Sequence, residues 1–170
     1  DGTEITTGIW RHDSEEVHKV YGTYYNWDNI NSPKKICPTG WRVPKAEDCD
    51  SLLLKYVDPI FYKTKNVAAI KLKSSGYVEN STGLWRKTEG GIGGTNESGF
   101  NAVPSSLFNF TTNDFLFGIG YEFRFWTADS NGAATSTTAV SYYITNYSNQ
   151  VTKQFPDKKL AGISCRCVKE

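Results

Sequence analysis

The sequence predicts an α+β fold: one or two helices packed on twisted antiparallel sheets, with a C-terminal strand tied by a disulfide. Three observations carry this expectation. Apolar side chains recur at Cys49, Leu52, Leu53, Tyr56 and Val57 with the spacing of one buried helix face. From Phe100 onward the chain turns to segments rich in aromatic and β-branched residues, and helices followed by strands is the α+β order. Finally, Cys37 and Cys49 bracket the start of the helix, while Cys165 and Cys167 lie in the last six residues, so the chain's end is expected to return to this helix.

Residues 1–35 read as irregular and polar, apart from a short aromatic strand at Thr23–Trp27 and a turn at Asn31-Ser32-Pro33. The first helix is expected to open at Pro44, whose missing N–H suits a first turn. Glu47, Asp48 and Asp50 favour the positive end of its dipole, and Asp58-Pro59 is expected to end it. Val67–Leu72 reads as a short second helix closed by Gly76. Residues 79–99, with Gly90-Gly91-Ile92-Gly93-Gly94, read as a long loop. Strands are expected at Phe100–Pro104, Gly120–Thr127, Ala139–Thr145 and about Gly162–Val168, with a tight turn at Asn131-Gly132.

The 170 residues are read as one domain, long enough for a sizeable core. Nineteen basic against 18 acidic residues leave no basic stripe, so no nucleic-acid partner is expected. The apolar runs fall far short of a membrane span. The chain begins at Asp1 and contains no methionine, which is read as a processed or excised piece from which a signal peptide, lipid anchor or preceding domain has been removed.

Four cysteines permit three pairings. Cys165 with Cys167 is disfavoured, because an extended C-x-C points both side chains the same way. Cys37–Cys167 with Cys49–Cys165, and the crossed alternative, both stay open at this level. Either closes loops worth roughly 4–5 kcal/mol in the chain-entropy model and implies an oxidising compartment.

Tyr21-Gly22-x-x-Tyr25-Asn26-Trp27, Ile36-Cys37-Pro38-x-Gly40-Trp41-x-x-Pro44, Leu72-Lys73-Ser74-x-Gly76, Gly99-Phe100-Asn101-Ala102-x-Pro104, Phe125-Trp126-Thr127-Ala128 and Ser164-x-Arg166-Cys167-Val168-Lys169 occur in this order. Together they resemble the Fibrobacter succinogenes major paralogous domain, a family of surface and secreted modules in Fibrobacter and Bacteroidetes. The resemblance implies a C-type lectin-like fold, with Cys37, Trp41, Leu52, Leu53, Phe100 and Val168 expected in a closed lower half of helices and terminal strands, and an extracellular or cell-surface location. It also implies that Cys37–Cys167 is the family bridge. Cys49 stands where the family usually has tryptophan, and the family lacks a cysteine at Cys165, so Cys49–Cys165 is expected as an added bridge. The strand that often precedes Asp1 in the family is not in this sequence.

Catalytic signatures are sparse. His12 and His18 lie near Glu15 and Glu16, which reads as a solvated surface, and the glycine-rich loop lacks the Gly-Lys-Ser/Thr of a phosphate cradle. No cofactor is expected: zinc is disfavoured, with no C-x-x-C and only His12 and His18 to help, while Asp129-x-Asn131-Gly132, with Asp114 and Glu122, offers oxygen ligands for calcium. Aromatic residues remain the main signal, since sugar rings present apolar faces to Trp and Tyr while polar neighbours take their hydroxyls. Trp85, Tyr121, Asp129, Asn131 and Tyr143 are the expected ligand surface, with Trp85 the leading exposed aromatic. The expected function is a carbohydrate- or glycan-binding module rather than an enzyme. The alternative is a structural or protein-adhesion module whose partner is another surface protein.

Overall fold

The computed structural model describes residues 2–57, 67–133 and 135–170, with the backbone alone for residues 2–6. The N-terminal stretch expected to be irregular is a small sheet with two helices. Strands β1 (Gly2–Thr6) and β2 (Ile9–His12) form a hairpin, helix α1 (Glu15–Tyr21) follows, and β3 (Thr23–Tyr25) pairs with the other edge of β2. Ser14 accepts the Val17 N–H as the N-cap of α1, and Gly22 closes it at φ 76. Helix α2 (Trp27–Ile30) opens under Asn26, which accepts the Asn29 N–H. Strand β2 alternates: Trp10 and His12 are buried between exposed or half-buried neighbours.

Strand β4 (Trp41–Arg42) leads into helix α3 (Ala46–Leu54). Pro44 does not start this helix, because its carbonyl accepts the Ala128 N–H and holds it extended. The first-turn donors are taken by two carboxylates instead. Lys45 N–H donates to Asp48 (2.7 Å) and Ala46 N–H to Asp129 (2.6 Å). Arg42 grips the same Asp48 with two hydrogen bonds (2.7 and 2.9 Å), and this contact holds the Asp48 carboxyl down at about 2. Cys49 faces inward with Leu52, Leu53 and Tyr56 packed beside it, as the helical spacing predicts. The expected stop at Asp58-Pro59 lies outside the described residues.

Helix α4 (Ala68–Leu72) is the short second helix, and its C-cap is Lys73. Phe100–Pro104 is not a strand; it makes a single bridge, Lys73 to Ala102. Strands β5 (Phe108–Asn109) and β6 (Asp114–Phe115) precede the long β7 (Glu122–Ser130), which pairs with β8 (Ala139–Thr145), itself paired with β9 (Thr152–Gln154). Asn131-Gly132 does turn the chain, but within a loop running to Thr138 rather than a two-residue hairpin. The expected last strand is broken in two. β10 (Ala161–Gly162) pairs with β5, and β11 (Val168–Lys169) pairs with β4.

Strand β7 explains how two cores coexist. Residues 122–127 are all buried, so both faces of the strand are covered. Phe123 and Phe125 face α3, α4, Trp85, Val140, Tyr142 and Ile144. Trp126, one residue on, points the other way into Ile30, Leu107, Ala139 and Ile163. A third cluster joins Trp10 and Tyr24 to Phe108. The C-terminal return is as expected: Val168 pairs with Arg42, and Cys37 is bonded to Cys167 across 130 residues. Trp41, expected in this closed half, is 44% exposed, because only two residues pair on each side here.

Lys73 is a fully buried lysine. Its ammonium donates to the carbonyls of Ser148 (3.0 Å) and Ile92 (3.3 Å) and lies 5.2 Å from the centre of the Trp85 ring. Loss of water on burial lowers it to about 8. Between pH 8 and its unfolded value near 10.4 the unfolded chain therefore binds the extra proton. Taken by itself, this lysine raises stability with pH across that window, by up to about 3 kcal/mol. The free thiols of Cys49 and Cys165, pushed up to about 12 by burial, oppose it from about pH 8.5, and buried Tyr24 and Tyr142, also raised by burial, oppose it above about pH 10. Urea melts of the wild type and Lys73→Met at pH 7, 8, 9 and 10 check this: the difference between the two slopes is the lysine's contribution, and equal slopes would contradict it.

Candidate functional site

The residues offered by the sequence as one ligand surface do not form one. Trp85 is 1% exposed, and its indole N–H donates to Ser74 Oγ and the Ala102 carbonyl, both at 3.1 Å. Asp129 caps α3 through Ala46, and Asn131 donates to Thr138 (3.1 Å) within its own loop. Tyr143 is half-buried, with the Arg124 guanidinium 4.8 Å from its ring centre. Tyr121 is 41% exposed but sits before β7, whereas Asp129 and Asn131 belong to its far end. The nine residues of β7 separate Tyr121 from Asn131 by roughly 30 Å. The carboxylates weighed for calcium are also apart. Glu122 is buried against Arg124 (2.7 Å), Asp114 is exposed on β6, and Asp129 is at the opposite end of β7.

Tyr121 instead borders a cleft of about 810 Å³ with His12, Asp13, Ser14, Val17, Arg86, Phe115, Gly118 and Ile119. Arg86 is the outward neighbour of buried Trp85, as an extended chain dictates. Its guanidinium lies 5.6 Å from the Tyr121 ring centre, and no ion pair holds it among the described residues. Gly120 makes this approach possible. A Cβ there would come within 2.9 Å of Arg86 Cγ, and its φ of +103 is one that side chains resist. Arg86 N–H donates to the Gly120 carbonyl (2.8 Å). Buried Asn146 then locks the pair together: its N–H donates to the Tyr121 carbonyl (2.8 Å) and its side-chain amide to the Arg86 carbonyl (3.1 Å).

The cleft floor is aromatic. Phe115 stacks on His12 at 5.7 Å, and Trp10 meets the same imidazole edge-on at 4.7 Å. His12 is 6% exposed rather than solvated, and its Nε2 has no hydrogen-bond partner among the described residues. Burial lowers its pKa, so the ring is neutral at physiological pH. A flat ring at the mouth, a five-donor guanidinium beside it and a neutral apolar floor can stack a sugar face and hold its hydroxyls. Of this group the sequence pointed only to Tyr121. Gly120 before an aromatic strand was a readable sign of close backbone approach; His12, Arg86 and Phe115 carried none.

The cysteines need one correction. Cys37–Cys167 is present, but Cys49 and Cys165 are free. Cys49 packs in the Phe123–Phe125 core, whereas Cys165 packs with Ile36, Val43 and the Trp126 core. The cause is strand periodicity: Cys165 must face the same side as Cys167 and so lies near Cys37. The sulfurs of Cys37, Cys165 and Cys167 all lie within 4.8 Å of one another, with two already joined. Burial pushes both free thiols up to about 12, which suppresses the reactive thiolate. Thiol titration is expected to find two slow-reacting groups in the native protein and two fast ones in denaturant, without reductant. No thiol in denaturant would restore the second bridge.

Neither the curated proteins nor the solved structures contain a match to this chain. The Fibrobacter succinogenes major domain, however, matches it over residues 2–169, and the chain belongs to that family.

Proposed function

We propose that this protein is an extracellular or cell-surface binding module for carbohydrate, acting by recognition and not by catalysis. The observation that carries this reading is the exposed Tyr121 ring beside the Arg86 guanidinium, locked by Asn146 at the mouth of the cleft. A stacking platform costs least when it is already fixed in place. The Cys37–Cys167 bridge supports an oxidising, exported location. A C-terminal segment tied back to Cys37 and β4, and a long loop region on a sheet scaffold, support reading the fold as C-type lectin-like.

A second reading is a protein-adhesion module. It is favoured by Leu116 and Phe117, consecutive and more than half exposed, just before the cleft's Gly118. A glycan array run with the wild type and Tyr121→Ala separates the two. Binding that falls at least about tenfold in Tyr121→Ala supports the carbohydrate reading. A silent array, with capture of a surface protein lost in Phe117→Ser, supports adhesion instead.

A further inference from the structure

We propose that the recess between the end of α1 and the 164–167 segment binds a small ligand through its carboxylate, at a site separate from the Tyr121 cleft. The recess has a volume of about 390 Å³, within the range of small-molecule sites. Its charged lining is of one sign. Lys19 comes from α1 and Arg166 from the C-terminal segment, and no acidic residue lines it. Ser105 and Ser164, hydrogen-bonded to each other at 3.1 Å, add hydroxyls to the wall.

Arg166 is the group that calls for an anion. It is half-buried, and burial lowers its pKa. Its guanidinium donates to the Asn101 carbonyl (2.8 Å) and lies 5.3 and 5.6 Å from the ring centres of Phe100 and Phe123. Among the described residues it has no carboxylate partner. Arg124, which is buried, shows the usual solution, a two-point grip on Glu122 (2.7 and 3.0 Å). A cation stripped of water without a counter-ion is costly, and a planar carboxylate meeting the free N–H edge in two hydrogen bonds offsets that cost.

Lys19 is exposed at the rim and adds a second positive charge. The carbonyl end of α1 is the unfavourable element for an anion. It is partly masked, because Gly22 N–H caps the His18 carbonyl (2.7 Å) and His18 Nδ1 is bonded to the Gly22 carbonyl (3.2 Å). The chemistry fits the carboxylate of an acidic sugar or of a simple organic acid equally, and the probes below distinguish these sources.

The test is an ¹⁵N NMR titration of the full chain with D-glucuronate, acetate, glucose and inorganic phosphate, reading backbone amides and arginine Nε signals. Saturable shifts at Lys19, Ser164 and Arg166 with glucuronate, with or without acetate, support the site. Acetate as strong as glucuronate assigns the carboxylate alone; glucuronate alone assigns an acidic sugar. Lys19→Gln, an exposed change that leaves the core untouched, should weaken binding about fivefold or more, and Arg166→Gln should abolish it. Tyr121→Ala should leave these shifts unchanged, which separates this site from the carbohydrate cleft. Equal shifts with glucose, a response to phosphate alone, no saturation at tens of millimolar, or unaltered binding in Lys19→Gln would overturn the proposal.

Discussion

Replacing Cys37 and Cys167 together by alanine is expected to lower the unfolding free energy by about 5 kcal/mol in the chain-entropy model. The reason is the loop that the bridge closes, 130 residues of sequence separation. Without it, β11 and β4 must find each other through a pairing of only two residues per strand. So short a ladder cannot order a chain end against that entropy. Because the domain's whole stability is of order 5–15 kcal/mol, the variant should be largely unfolded or melt far below the wild type. Equilibrium urea denaturation, read by far-UV circular dichroism, checks this. A loss under about 1 kcal/mol would mean the C-terminal segment is held by packing, with the bridge incidental.

Trp85→Ala is expected to cost 3–5 kcal/mol, the range for emptying a buried aromatic site. The substitution opens a cavity among Leu72, Ala102, Phe123 and Ile144. It also takes the indole N–H from Ser74 Oγ and from the Ala102 carbonyl, which keeps the Ser74 backbone N–H, and removes the ring beneath the Lys73 ammonium. Any loss of ligand binding in this variant is thus a loss of fold. Tyr121→Ala, whose ring is 41% exposed, should change stability by under about 1 kcal/mol. Thermal melts of the two variants side by side separate a core residue from a recognition residue. Equal melting temperatures would place Trp85 outside the core.

The two tryptophan readings show what the sequence could and could not carry. Helix α3 was legible because its apolar spacing and its buried face are the same fact. The long strands β7 and β8 were legible through their aromatic and β-branched content. The short strands of the other sheets were not: β4, β5, β6, β10 and β11 are two residues each, too short for any period to show. Trp85 looked exposed because polar residues flank it, but flanking polarity in an extended segment also fits an inward ring with outward neighbours. The reverse held for Trp41, whose motif suggested core and whose two-residue strand leaves it in solvent.

The cysteines divide the same way. The refusal of a C-x-C segment to bridge itself followed from local geometry, and Cys37–Cys167 stands. The second pair was inferred from two unusual residues occurring together, which says nothing about distance. Strand β7 lies between the cores that hold Cys49 and Cys165. The cleft was the least legible part, because His12, Arg86, Phe115 and Tyr121 come from four separate segments that only the small strands bring together.

The central claim is that carbohydrate is recognised at the Tyr121–Arg86 cleft, and the most direct measurement is an ¹⁵N–¹H chemical-shift map of the labelled protein titrated with an array-positive oligosaccharide. The account predicts shifts gathered at residues 12–17, Arg86 and residues 115–121, and their disappearance in Tyr121→Ala while the remaining spectrum stays folded. Shifts confined to Asp129, Asn131 and Tyr143, or a map that Tyr121→Ala leaves unaltered, would contradict it.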